Sequence, residues 1–121
     1  MIKEELKQTI DKLKQEQERL QNEIENYNKS KEAANNLIEA LEKSNEKLLL
    51  VQDGLNNSFT VDSKPIAKEK LKKSTNDIDK TIKELKTNVI IEIDNSINQI
   101  TSEIKELDVK IESLWQEYNA L

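Results

Sequence analysis

The acids are the residues here with a usual claim to acid–base or metal chemistry, because the sequence contains neither histidine nor cysteine. That removes the common zinc ligands, the thiol nucleophile and the imidazole base together. Asp77 with Asp79 and Glu92 with Asp94 are acidic pairs two residues apart. Glycoside hydrolysis needs two carboxylates facing each other across a cleft, and magnesium sites combine carboxylates with substrate phosphates. Two positions on a helix are separated by about 200° of rotation, so the members of each pair diverge. One glycine in the whole chain also leaves no glycine-rich phosphate loop. The expectation is a protein that is not an enzyme, with no catalytic residues, no cofactor and no metal site.

The elements that would carry those side chains are long helices. Over 121 residues, 36% are charged and 35% hydrophobic, a composition that fits a helical or coiled-coil protein when the apolar positions are periodic. In the first half they fall at Leu6, Ile10, Leu13, Leu20, Ile24, Tyr27, Ala34, Leu37, Leu41, Leu48, Val51 and Leu55, with Gln17 and Lys31 filling two seam positions. Steps of three and four place these on one stripe of a helix over about 2–53. The two steps of three from Lys31 through Ala34 to Leu37 predict a stammer, a local overwinding.

Gly54 is a natural left-handed stop, and Asn56-Asn57-Ser58 favours a turn after it. A link over about 54–64 follows, with Ser63 or Lys64 as the cap and Pro65 in the first turn of a second helix running to about 119. That helix carries Leu71, Ile78, Ile82, Leu85, Val89, Ile93, Ile97, Ile100, Ile104, Leu107, Ile111, Leu114 and Tyr118. Steps of four, four and three between Val89 and Ile100 predict an eleven-residue unit that relaxes the supercoil. The fold class is all-α: one domain over 1–121, an antiparallel two-helix hairpin, coiled-coil-like, which a partner can complete to a bundle. With only four aromatic residues to fill a centre, a thin aliphatic seam and an elongated molecule are expected.

Charge narrows the partners. A net charge of −5 disfavours phosphate backbones, so nucleic acid is not expected. Apolar runs fall far short of the 18 or so residues of a membrane span, and Met1-Ile2-Lys3-Glu4-Glu5 lacks the apolar core of a secretory signal. A cytoplasmic protein is the expectation. Lys-rich 64–86 lies beside acid-rich 32–54 in an antiparallel hairpin, although exposed pairs contribute little apiece.

Two clusters exceed what a two-helix seam can bury: Leu48-Leu49-Leu50-Val51 and Val89-Ile90-Ile91-Glu92-Ile93. Leu49, Leu50, Ile90 and Ile91 at roughly 1.5–3 kcal/mol per buried aliphatic side chain are a drive toward further helices, set against the plainer reading of a wide seam. Trp115, one residue past the seam, fits an interface anchor or a cap on the hairpin end. With Phe59 of the link, these six are the candidate partner-binding residues.

The stretch Leu55-Asn56-Asn57-Ser58-Phe59-Thr60-Val61-Asp62-Ser63-Lys64-Pro65-Ile66 resembles the break in small helical proteins encoded beside LXG-domain toxins in Gram-positive bacteria, WXG-like relatives of type VII secretion substrates. The resemblance implies an accessory or targeting chaperone that binds the helical N-terminal region of its toxin and accompanies it to the secretion machinery, with co-secretion as one route. The Trp-x-Gly turn of that group is missing, since Gln116-Glu117 follow Trp115, and neither Phe59 nor Tyr118 has an acid four residues on. A second small helical protein is therefore the expected source of an export signal. Two other readings stay open: a self-associating structural coiled coil that forms a homodimeric bundle, and a prefoldin-like holdase, for which 54–64 is too short to build paired hairpins.

Overall fold

The computed structural model describes residues 2–56 and 64–121. The chain is an all-α helical hairpin. Its first arm is the helix α1, Lys3–Asn56. The second arm begins with α2, Lys64–Glu84, passes through a π-helical turn at Leu85–Val89, and continues as α3, Ile90–Ala120. Among the described residues there is no strand. The residues 57–63, Phe59 included, lie outside the described part, as does most of the expected link.

The chain divides into two compact units, Met1–Ser30 with Glu92–Leu121, and Lys31–Ile91. In the first, Leu6 and Ile10 are fully buried, and Leu20, Ile93, Ile100 and Ile111 nearly so. Antiparallel pairing is fixed there by Gln17, whose amide donates to the Ile104 carbonyl at 3.2 Å and to the Asp108 carboxylate. A polar seam residue is tolerated because its amide finds partners on the facing arm. In the second unit only Ala34 and Ile38 are buried among the described residues. Its arms are tied by Lys86 with Glu42 at 3.4 Å and by Asn45, whose amide donates to Asp79 at 2.6 Å. The other amide atom of Asn45, its oxygen, is shielded from solvent without a hydrogen-bond partner.

Burial corrects the predicted register in three places. Ile38 is 6% exposed and Leu37 48%, so the step after Ala34 is four, not three, and the expected stammer is absent. From there the inward positions run Leu41, Asn45, Leu48 and Gln52, which leaves Val51 outside the seam it was assigned to. An unbroken alternation of four and three is kept by admitting Asn45 and Gln52, two polar residues that a purely apolar reading passes over.

Gly54 does not stop α1, which continues to Asn56 with no positive φ at the glycine. A glycine costs a helix only about 1 kcal/mol relative to alanine, too little to terminate one already propagating. The expected eleven-residue unit from Val89 is likewise replaced, with Ile90 inward instead. Inward positions on the second arm run 71, 75, 78, 82 and 85, then 90, 93, 97 and 100. One additional residue lies between Leu85 and Ile93 relative to a heptad, and the π turn takes it up locally instead of a relaxed supercoil sharing it.

Candidate functional site

Asp79 accepts the Asn45 amide across the hairpin, and Asp77 is exposed on the same helix. Glu92 is exposed and Asp94 half-buried on α3. Among the described residues no group of three or more carboxylates converges as a metal ion would require. An electrostatic perturbation among the described residues sits elsewhere: the Arg19 guanidinium donates to Glu16 and, at 2.7 Å, to Glu23. The hydrogen bond from Arg19 holds the Glu16 carboxyl below its ordinary range, and Glu16 in turn raises Arg19. Both groups are exposed along one helix face, an arrangement of surface pairs three and four residues apart.

Apolar surface is the more distinctive property. In the second unit, Leu49, Leu50 and Val51 are all exposed, Leu50 by 70%. Successive residues of a helix are about 100° apart, so Leu48 to Val51 make this turn of α1 apolar around its full circumference, with only Leu48 partly covered. Helices that are apolar all round belong in interiors. Ile91 is 49% exposed, whereas Ile90 is half-buried because the π turn rotates it into the seam and turns Val89 outward.

Leu37 and Val51, both predicted for the seam, stand instead on its flank. They are two heptads apart, and Ala33, Ala40 and Ser44 share that flank, all exposed. A second stripe, carrying one charge at Lys47, thus runs beside the first. Counting heptads through the polar positions Asn45 and Gln52 is the signal that separates the two stripes in the sequence.

In the first unit, Trp115 is half-buried, not bare. The Lys14 ammonium lies 5.2 Å from its ring centroid and Tyr118 meets it edge-on at 5.2 Å, while Lys3 lies 4.6 Å from the Tyr118 ring. These cation–π and T-shaped contacts engage the tryptophan within its own unit. A shallow cleft lined by Thr9, Leu13, Val109, Lys110, Ser113 and Leu114 opens nearby, with Val109 exposed; it is not legible in the sequence, since Val109 falls off the seam period. Of the six candidate partner-binding residues, then, Leu49, Leu50 and Ile91 are exposed, Ile90 and Trp115 are partly covered, and Phe59 is not among the described residues. No helix among the described residues is long and apolar enough to cross a membrane.

No family model, no curated protein and no solved structure matches this chain.

Proposed function

We propose that the chain is a non-catalytic binding protein that adds its helical hairpin to a helical segment of a larger protein. The observation that carries this reading is the turn Leu48–Val51, apolar on every side and largely uncovered. Fully burying Leu49 and Leu50 is a favourable term of roughly 1.5–3 kcal/mol each, available only to a partner. A groove between two helices accepts a third through side chains at three- and four-residue spacing, the mode by which amphipathic helices are recognised. The link sequence Leu55–Ile66 supports a specific partner: the helical N-terminal region of an LXG-type toxin, for which this chain serves as accessory or targeting chaperone on the way to type VII secretion.

The test is co-expression with that region of the toxin encoded beside it. A stable complex on size exclusion is expected, weakened at least tenfold by Leu49→Lys with Leu50→Lys while the hairpin keeps its melting midpoint. A chain that stays a stable monomer and recovers no toxin segment removes the reading.

A second reading, self-association, is favoured by the stripe Ala33, Leu37, Ala40, Ser44 and Val51. The stripe carries no acid and Lys47 as its one charge, so two copies can meet there without opposing carboxylates, which matters for a chain of net charge −5. Light scattering decides it: a homodimer that Leu37→Lys dissociates supports self-association, and a mass of one chain at all concentrations eliminates it.

A further inference from the structure

The second arm holds one residue more than its heptads need, and two ways of housing it are open. In the structure the surplus is local: the Ile90 N–H donates to the Leu85 carbonyl, five residues back, closing the π turn. Thr87 donates its hydroxyl to the Lys83 carbonyl at 2.7 Å at the start of that turn. Ile90 then fills the inward position between Leu85 and Ile93, and Val89 is 40% exposed.

An unbroken α-helix houses the same residue by spreading it over steps of four from Leu85 through Val89 and Ile93 to Ile97, at the expense of local supercoil. Val89 is then the inward residue, and Ile90 stands outside beside Ile91. The seam changes by one methylene. Both occupants are β-branched aliphatics with the same rotamer restrictions in a helix. Nothing charged is buried or released, since the nearby pair Lys86–Glu42 is exposed on both sides.

We infer that Leu85–Ile90 is a two-state register switch, in which Val89 and Ile90 exchange the inward position as the π turn forms and dissolves. Interfaces with two discrete packings of similar free energy are the physical basis of such switching, and single π turns recur at functional positions. The α form alone presents Ile90 and Ile91 together on the surface. If the partner reading above holds, a helix that binds there draws the equilibrium toward the α form by its differential affinity; the switch itself requires no partner.

A double-mutant cycle on the isolated chain tests it, with Ile93→Lys as the reference for a buried seam position. Ile90→Lys is expected to lower the melting midpoint by about 5 °C or less, because Val89 takes the vacated position, and Val89→Lys by a similarly small amount, because the π form already exposes it. The double variant, with lysine inward in either form, is expected to lose at least about 10 °C, more than the sum. Amide exchange should follow: protection of the Ile90 N–H changes in Ile90→Lys and is kept in Val89→Lys. The inference is overturned if Ile90→Lys alone is as damaging as Ile93→Lys, failure to fold included, or if the two substitutions add without coupling. Because no toxin segment enters the experiment, its outcome is separate from that of the co-purification above.

Discussion

At the scale of single residues, the contrast between side chains of the same type is the most informative property. Ile10 is fully buried and Leu50 is 70% exposed. Ile10→Ala therefore removes transfer energy and leaves a cavity, an expected loss of about 2–5 kcal/mol by denaturant unfolding. Leu50→Lys changes only surface and is expected to stay within about 0.5 kcal/mol. Glu16 gives the residue-scale prediction for pH. Its carboxyl is lowered chiefly by the hydrogen bond from Arg19, so the stabilisation it contributes is present above the unfolded-state value and is lost as pH falls through the folded one. The side chains are 43% and 55% exposed, and solvent screens the pair, so the effect belongs to a local titration and not to global stability. In an NMR titration the Glu16 carboxyl should move up toward the ordinary glutamate range when Arg19 is replaced by glutamine; an unchanged titration refutes the assignment.

At the scale of elements, the surplus residue in the second arm is the structural singularity. Removing Asn88 restores a seven-residue interval from Leu85 to Ile93 and keeps an isoleucine inward. The expected result is a continuous α-helix, a higher melting midpoint and loss of the i→i−5 bond, checked by calorimetry and by amide exchange over 85–90. A fall in the midpoint would mean that the π turn is demanded by packing rather than by residue count. The two long helices were legible in the sequence because three- and four-residue spacing persists over many turns. The register was less so: Leu37 and Val51 are apolar, and an apolar residue is assigned inward unless the heptad is carried through Asn45 and Gln52. Gly54 misled for a related reason, since a local preference worth about 1 kcal/mol was weighed against a helix held by its whole seam. The surplus residue itself was visible as steps of four, but spacing alone does not separate a spread adjustment from a localised turn.

At the scale of the whole molecule, the two units differ in how much they bury. Among the described residues, the unit of Met1–Ser30 with Glu92–Leu121 holds six buried aliphatic residues, whereas Lys31–Ile91 holds Ala34 and Ile38. Few buried apolar contacts mean a low free energy of local opening. Native-state hydrogen exchange should therefore show amides around Ala34–Leu41 exchanging through sub-global opening, at least tenfold faster than those around Leu6–Ile10. Equal protection in both would show one cooperative unit. The apolar surface of Leu49, Leu50 and Ile91 was readable from runs of aliphatics too broad for one stripe, whereas the engagement of Trp115 was not, because nothing in its neighbourhood of sequence points to Lys14, a hundred residues earlier on the other arm. That placement makes the chain its own optical gauge. It contains one tryptophan, and the indole sits beneath an ammonium from the opposite arm. Parting the arms of that unit strips the ring to water and reddens its emission, while fraying confined to Lys31–Ile91 leaves the signal dark to the event. A plain fluorescence melt set against circular dichroism thus resolves the order in which the hairpin comes undone, with no label attached.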